Sequence, residues 1–423
     1  MEKCSITRDG VRIYSYPNPS LHGFYLSLYV RAGSIYEDEG SSGITHFLEH
    51  VAIRNVNAQT GGRLYAELDR YGLEFNASTY NEMIQFYISG ATEHFERGAE
   101  MIARLLSPLV LSKSEVDLER RRIKAEIRES DDKGSLLNFT QNLLYPNSPL
   151  RFSIVGTNSS VERITRARLE EYRREIFSAD TMFFYLTGNV TDAHIDALSR
   201  ILDTYEIPTV STHTRTVAIP AQFGRRGGEV YVKNADFTML RFHFDLDLRR
   251  VSAPESDLLY DILFAGYNSR FFLEMSERRG LFYDVSGSVE RYGEIGSFDF
   301  SFEVKRADIE EAVRISVELL REMKTTLLPD DALMRAAYVD NAYLLYDDAR
   351  ELNFTFAYDA HILGAPYRDL EDRRAAYRSV TPERLRDAAR EVFTLRNCVL
   401  TMKSDKKKTD TERIRAILSD IDA

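Results

Sequence analysis

Residues 24–50 read FYLSLYVRAGSIYEDEGSSGITHFLEH, and this stretch decides how the chain is interpreted. Its first seven residues are aromatic, leucine or valine apart from one serine, which predicts a strand. Serine and threonine candidates for an N-cap then come before apolar residues at helical spacing, so residues 41–50 predict the start of a helix. A strand followed closely by an amphipathic helix is typical of layered α/β or α+β packing.

Two histidines and a glutamate lie in this predicted helix. His46 and His50 are four residues apart, so their imidazoles leave the helix on one face and can share a tetrahedral metal. Glu49 stands beside them and can reach an attacking water without binding the metal itself. The order His-x-x-Glu-His is the inverzincin signature. The competing interpretation is a solvated helix on which these side chains form only surface ion pairs.

A catalytic zinc usually has three protein ligands, and no third histidine lies nearby. None of the other six histidines lies at ligand spacing from a cluster of carboxylates or cysteines, so we expect surface or core roles for them. Residues 114–133 predict a charged helix with a narrow apolar stripe, and a carboxylate from it is the expected third ligand. Glu119 and Glu126 lie seven residues apart, hence on nearly one face. Spacing alone leaves Glu129 open as well.

The stretch RAGSIYEDEGSSGITHFLEH resembles the metal-helix segment of pitrilysin-type (inverzincin) zinc metallopeptidases, in particular the small-subunit members related to mitochondrial processing peptidase. In that family a glutamate roughly 75 residues after the second histidine is the third ligand, and another glutamate seven residues earlier assists. Glu126 lies 76 residues after His50. The resemblance therefore implies one zinc per chain. Its ligands would be His46, His50 and Glu126, its general base Glu49 and its auxiliary carboxylate Glu119.

A weak internal repeat predicts a duplicated fold. A Gly-Leu pair, a strand hairpin and an amphipathic helix follow one another in residues 72–106 and again in residues 280–320. Few residues are identical between the two stretches. The alternative is that they resemble each other only as any two α/β stretches do. The family resemblance implies the same organisation, and we expect an α+β chain of two homologous, α/β-sandwich-like halves.

Domain boundaries follow from composition. Residues 207–228 contain Pro, Gly and Thr, lack periodicity and lie near the midpoint of the 423-residue chain. We expect an N-terminal half with the zinc site at residues 1–208, a linker at 209–228, and a homologous C-terminal half with a substrate-contacting element at 229–423.

The family binds substrate peptides as an extra strand along one sheet edge, and GLEFNAST, residues 72–79, resembles that edge. By this match Asn76 and Ala77 contact the substrate backbone near the scissile bond. The alternative is that Asn76 is a turn residue between strands.

The second half contains ERRGLFY, which ends at Tyr283 and resembles the family's Arg…Gly-Leu-x-Tyr element. In the family the arginine and tyrosine of this element, seven residues apart, contact substrate. Ser276 stands where that arginine belongs, and the sequence leaves open whether Arg278 or Arg279 replaces it. We name Arg279 and Tyr283 as the candidate contacts; the alternative is that the arginines form a solvated helix end.

The resemblance also bears on partners, because the family's chambers close when two such subunits face each other. We expect a dimer, and the missing arginine at Ser276 favours a heterodimer with a homologous subunit that supplies it. A net charge of −11 and a pI near 5.4 argue against nucleic acid as a partner. Two cysteines, no apolar run long enough to span a membrane and no signal-peptide pattern favour a cytoplasmic protein.

Together these features predict a zinc-dependent endopeptidase that hydrolyses peptides in a closed chamber. Leader peptides, presequences and peptide fragments are the candidate substrates. The alternative is a non-catalytic or scaffold subunit of a peptidase-like complex, against which the intact metal motif counts.

Overall fold

The computed structural model describes residues 1–133, 135–212, 226–292, 295–330, 332–334, 336, 348–367 and 369–423. They belong to two compact units, one of Met1–Ala218 with Leu344–Asp369 and the other of Ile219–Tyr343 with Leu370–Ala423.

This division differs from the expected boundaries in one respect. Residues 344–369 group with the first unit, although they follow the midpoint of the chain. Of the predicted linker, residues 213–225 lie outside the described residues. The boundaries at residues 208 and 228 stay a prediction.

The first unit is built on a six-stranded sheet. Its strands are β1 (Lys3–Ile6), β2 (Arg12–Pro17), β3 (Gly23–Val30), β4 (Glu74–Thr79), β5 (Ile84–Ala91) and β6 (Met182–Gly188). They lie in the order β1-β2-β6-β3-β5-β4, with β4 at one edge. Only β2 and β6 are parallel. The strand expected at residues 24–30 is β3.

Between residues 44 and 202 the first unit contains eight described helices, several of which pack on one face of this sheet. They are α1 (Ile44–Gln59), α2 (Leu64–Tyr71), α3 (Phe95–Ala103), α4 (Lys113–Lys133), α5 (Ser135–Leu144), α6 (Asn158–Arg163), α7 (Arg166–Ile176) and α8 (Asp192–Leu202). Alternate residues of β3, such as Leu26 and Leu28, join one buried core with Phe47 and Val51 of α1. The apolar stripe of α4 contributes Ile123 to the same core, which fixes α4 beside α1.

The second unit contains a five-stranded sheet, in the order β7-β11-β8-β10-β9. Its strands are β7 (Glu229–Asn234), β8 (Met239–Asp247), β9 (Val285–Tyr292), β10 (Ile295–Glu303) and β11 (Cys398–Ser404). The remaining helices along the chain are α9 (Ala253–Phe264), α10 (Ile309–Thr325), α11 (Ala349–Phe356), α12 (Leu370–Arg378), α13 (Pro382–Val392) and α14 (Thr411–Ser419), of which α11 belongs to the first unit.

Short helical turns complete the described structure. They span Ser34–Tyr36, Thr92–His94, Arg104–Leu106, Pro149–Arg151, Phe272–Glu277, Arg306–Asp308, Ala357–Ile362, Leu395–Asn397 and Asp420–Asp422.

The two sheets share one topology, which confirms the predicted duplication. In each, a parallel pair (β2 with β6, β7 with β11) is followed by three antiparallel pairings in the same chain order. In the first half, Gly72 has a left-handed backbone conformation and precedes the hairpin β4–β5, which α3 follows. In the second half, Gly280 has the same conformation and precedes the hairpin β9–β10, which α10 follows. The fold is α+β with two homologous halves, as expected.

Helix α11 covers the face of the first sheet that the other helices leave open. Asn353 is fully buried there; its amide nitrogen donates to the carbonyl of Tyr185 at 2.9 Å, and its amide oxygen accepts from the hydroxyl of Tyr29 at 2.8 Å. Thr187 donates to the carbonyl of Ala349 at 2.7 Å. These bonds explain why residues 344–369 belong with the first unit.

Candidate metal centre

Helices α1 and α4 bring three metal-binding side chains together. His46, His50 and Glu126 offer ligand atoms that all lie within 4.8 Å of one another. Nε2 of His46 is 3.5 Å from Oε1 of Glu126, and Nε2 of His50 is 3.6 Å from Oε2 of the same carboxylate. Glu126 is therefore the α4 carboxylate of this group, and Glu129 is not part of it.

The spacing of these atoms fits a zinc ion. A tetrahedral site with bonds of about 2.0–2.1 Å separates its ligand atoms by about 3.3–3.4 Å. The observed separations are close to that value and longer than ordinary hydrogen bonds. The buried Nδ1 of His46 has no hydrogen-bond partner among the described residues, so no described neighbour fixes its tautomer. Two imidazoles and one carboxylate are a donor set that zinc prefers.

Glu119 lies behind His50 and is held by two arginines. Its side chain is 3% exposed, and its Oε2 is 3.6 Å from Nδ1 of His50. Its Oε1 accepts from Nη1 of Arg54 and from Nη1 of Arg122, each at 2.9 Å. Glu119 is the auxiliary carboxylate that the family resemblance implies, whereas neither arginine was predicted. Arg54 follows His50 by one helical turn and Arg122 follows Glu119 by three residues, which is the signal that could have identified them.

The two histidines differ in pKa in the metal-free site. Burial, helped by the neighbouring His50, lowers the pKa of His46 to about 4. Burial also opposes a charge on His50, but its contacts with Glu119 and Glu126 outweigh burial and raise the pKa of His50 to about 9. At neutral pH His50 is therefore protonated in the metal-free site, and a metal ion that binds its Nε2 would displace the proton from that nitrogen.

Glu49 lies on the same helix and is tied to the edge strand. Its Oε2 accepts from the hydroxyl of Thr79, the last residue of β4, at 2.5 Å. Burial raises the pKa of Glu49, and the Thr79 bond opposes that shift. A carboxylate with a raised pKa is suited to take up and release a proton near neutral pH. This contact of Thr79 was not predicted from the sequence.

The start of α1 differs from the expected serine or threonine N-cap. No serine or threonine caps this helix: its N-cap is Gly43, with φ 86°, and no side chain of that residue contributes. Instead the buried Glu37 accepts from the backbone nitrogens of Gly43 and Thr45 at 2.7 and 2.9 Å. A Cβ at Gly43 would come within 2.8 Å of Gly156, so close backbone approach excludes a side-chain cap.

Asn76 and Ala77 both lie within β4, so Asn76 is not a turn residue. They pair with Tyr87 and Phe86 of β5, respectively. In the sheet order β4 is an edge strand, and among the described residues it pairs only with β5. The strand therefore offers an open edge that ends at Thr79, next to Glu49.

The second half places its candidate contacts on one short segment. Ser276 lies in the helical turn Phe272–Glu277. Nη1 of Arg278 donates to Oε2 of Glu274 at 2.6 Å, and Nη1 of Arg279 pairs with Oε1 of the same residue. Tyr283 is 95% exposed. Both arginines are thus engaged with one carboxylate of their own turn, while the tyrosine side chain faces solvent.

His243 takes one of the core roles expected for the remaining histidines, but it contacts two carboxylates there. In the buried interior of the second unit its Nδ1 lies 3.0 Å from Asp299 and its Nε2 lies 3.3 Å from Asp245. Arg241 and Arg226 pair with the same two aspartates at 3.0 and 2.9 Å. Because arginines already balance these carboxylates, the cluster is a buried ion-pair network and not a second metal site.

Among the residues that the structure describes, no helix combines the length and the apolar character needed to cross a membrane.

The duplicated α+β fold and the two-histidine, one-carboxylate centre define a class of zinc metallopeptidases. Residues 12–158 match the family model described as Insulinase (Peptidase family M16), and residues 163–337 match the one described as Peptidase M16 inactive domain. The chain belongs to this pitrilysin-type family, among members related to mitochondrial processing peptidase.

Relatives and solved structures agree with this membership. An uncharacterized zinc protease of Rickettsia bellii is 25% identical over 324 residues, which are 75% of this chain and 76% of the relative. The beta subunit of mitochondrial-processing peptidase from Blastocladiella emersonii is 25% identical over 47% of this chain and 43% of its own. The crystal structure of a protease from Helicobacter pylori shares the fold, with a TM-score of 0.83 and 17% identity over 95% of this chain and 99% of that one.

Proposed function

We propose that this chain is a zinc-dependent endopeptidase with one zinc site, in which His46, His50 and Glu126 are the ligands. The observation that carries the proposal is the convergence of these three side chains within 4.8 Å, with Glu49 on the same helix. Helix α9, which occupies the corresponding place after β8 in the second half, contains no histidine, which supports one zinc per chain.

Zinc, when bound, polarises the scissile carbonyl and lowers the pKa of its water ligand. The role of Glu49 is to accept a proton from the attacking water on its carboxylate and to deliver it to the leaving nitrogen. Glu119, held by Arg54 and Arg122, orients His50 through its Nδ1.

The substrate would add to the sheet as a further strand along β4. Its backbone would pair with Asn76 and Ala77, since the edge of β4 is open among the described residues. β4 ends at Thr79, whose hydroxyl is hydrogen-bonded to Glu49. A peptide that pairs with this edge would therefore extend towards Glu49, the proposed general base. Extended peptides such as leader peptides, presequences or fragments suit this mode, in a chamber closed around them.

Tyr283 and Arg279 are proposed as substrate contacts of the second half. The exposed tyrosine is available for such a contact. Arg279 is held by Glu274 and must leave it to replace the arginine that is absent at Ser276. We therefore also propose a heterodimer with a homologous subunit that supplies an arginine; two relatives are named as subunits, of mitochondrial-processing peptidase and of the cytochrome b-c1 complex.

A cytoplasmic location stays a prediction, which fractionation of the native cell tests.

The second candidate is a non-catalytic or scaffold subunit. It is favoured by the match of residues 163–337 to a model described as an inactive domain and by the cytochrome b-c1 relative. The complete ligand set on α1 and α4 argues against it.

One experiment separates the two candidates. The purified chain is analysed for zinc and assayed with a generic quenched fluorescent peptide, before and after chelation and with zinc restored. We expect about one zinc per chain and a peptidase activity that chelation abolishes and zinc restores. A chain without zinc would favour the scaffold, whereas cleavage that the chelator leaves unchanged would contradict a zinc-dependent reaction.

A further inference from the structure

A polar cavity of about 670 Å³ lies beside the two helices that carry the metal ligands. Ser42, in the turn before α1, and Ile127, the residue after Glu126 on α4, both line it. Arg151 and Arg163 line it as well. Cavities of about 300–1,000 Å³ are the size at which proteins bind small molecules or short peptide segments.

The cavity is locally basic in an acidic chain. Arg151, Arg163 and Glu39 are its ionisable lining residues, so it carries one net positive charge, whereas the chain carries −11. Nη2 of Arg151 lies 3.2 Å from Oε2 of Glu39, whose side chain is 84% exposed. A pair as exposed as this one is weak and can be displaced by a ligand anion.

Arg163 makes hydrogen bonds to neutral groups. Its Nη1 donates to the hydroxyl of Ser159 at 2.8 Å, and its Nη2 donates to the backbone carbonyl of Glu39 at 3.4 Å. Its charge is therefore available to an anion that enters the cavity.

Neutral polar groups complete the cavity wall. The side-chain amides of Asn138 and Asn142 line the space, so it offers hydrogen-bonding groups beside the two arginines. The hydroxyl oxygen of Ser42 is itself buried away from solvent, so Ser42 is part of the wall and not a ligand-binding group.

We propose that this cavity binds a ligand through an oxyanion group, either a carboxylate or a phosphate. Arg151 and Arg163 neutralise the anion, and the side-chain amides of Asn138 and Asn142 offer hydrogen bonds to the ligand. Since a lone inorganic anion fills only a small part of about 670 Å³, the group is carried on a larger polar body. An acidic peptide end and a phosphorylated small molecule share this chemistry. The site uses none of the metal ligands and does not depend on the proposed peptidase activity.

Calorimetric titration of the full chain tests the site. The probes are inorganic pyrophosphate, an acetylated tetrapeptide with a free carboxyl terminus, and the same peptide with an amidated terminus. The Glu49→Gln background prevents cleavage of the peptides. We expect saturable binding of at least one oxyanion probe and a loss of at least about tenfold in affinity in Arg151→Gln/Arg163→Gln. Binding of pyrophosphate alone identifies a phosphorylated ligand, whereas binding of the free but not the amidated peptide identifies a peptide carboxylate.

Arg97→Gln is the matched control, because Arg97 forms a surface ion pair with Glu100 at 3.3 Å and does not line the cavity. It should leave the affinity for each probe unchanged. Should the double variant unfold at a lower temperature, Arg163→Gln alone provides the same comparison. The proposal is overturned if no oxyanion probe binds, or if Arg97→Gln weakens binding as much as the cavity variants. Zinc content, measured on the same samples, reports separately on the metal site.

Discussion

Nη1 of Arg54 donates to Oε1 of Glu119 at 2.9 Å, while the other oxygen of this carboxylate faces Nδ1 of His50 at 3.6 Å. A proposed zinc ligand is thus connected, through a buried carboxylate, to a guanidinium one turn further along its own helix. Partners behind a metal-bound histidine fix the orientation of its ring and its tautomer. We therefore expect Arg54 to order the proposed metal site without touching the metal.

Arg54→Gln tests this connection. We expect the variant to fold and to keep all three ligands, but to bind zinc about 10- to 100-fold more weakly, because Glu119 loses the less exposed of its two arginines. Competition with a chromophoric chelator measures the affinity.

Arg122→Gln is the matched control for Arg54→Gln. Arg122 bonds the same oxygen at the same 2.9 Å, but its side chain is 60% exposed against 25% for Arg54. Solvent screens the more exposed pair, so its loss should matter less. Equal affinities of Arg54→Gln and the unchanged protein would contradict a positioning role.

Thr79→Val is predicted to change the pH dependence of peptidase activity. The Thr79 hydroxyl stabilises the ionised Glu49 carboxylate, whose pKa burial raises. Without that bond the pKa of Glu49 rises further, so the base is protonated over a wider acidic range. The acid limb of the profile of kcat/KM should move to higher pH, with the alkaline limb unchanged. A shift to lower pH, or an equal shift in Ser78→Ala, would show that the bond does not act on Glu49.

Glu126→Ala and Glu129→Ala separate the third ligand from its neighbour on α4. Removing Glu126 takes away one of the three converging donors, and the protein should lose its zinc during purification. Glu129 is outside this group, and Glu129→Ala should retain zinc. Elemental analysis of both variants measures this, and zinc loss from Glu129→Ala alone would reverse the assignment.

The absent arginine leads to a prediction about partners. Because Arg278 and Arg279 are engaged with Glu274 and Ser276 cannot supply a charge, the purified chain should cleave peptides slowly. Addition of a homologous subunit from the same cell should raise the rate sharply. Full activity of the chain alone, or loss of its activity in Arg279→Ala, would show that the local arginine serves instead.

Much of the fold and of the metal centre could be predicted because it rests on local spacing. His46 and His50 share a helical face because they are four residues apart. The aromatic and aliphatic residues of β3 predict a strand. The position of Glu126 required the family resemblance, because spacing alone did not distinguish it from Glu129.

Other features depend on contacts between distant parts of the chain. Glu37 replaces the expected N-cap of α1 because Gly43 is packed against Gly156, more than a hundred residues away. Asn353 belongs to the first unit because it forms hydrogen bonds with Tyr29 and Tyr185, and no local sequence pattern predicts these bonds. Asp245 lies two residues after His243, but the second carboxylate, Asp299, reaches His243 only when β8 and β10 pair.

Glu49→Gln tests the central claim most directly. The substitution keeps the shape of the side chain but removes its ability to accept a proton, and it leaves the three converging donors in place. The account predicts an unchanged zinc content and a loss of peptidase turnover of at least about a hundredfold, the usual scale of general-base catalysis. Near-normal turnover in a variant that still holds its zinc would contradict the account.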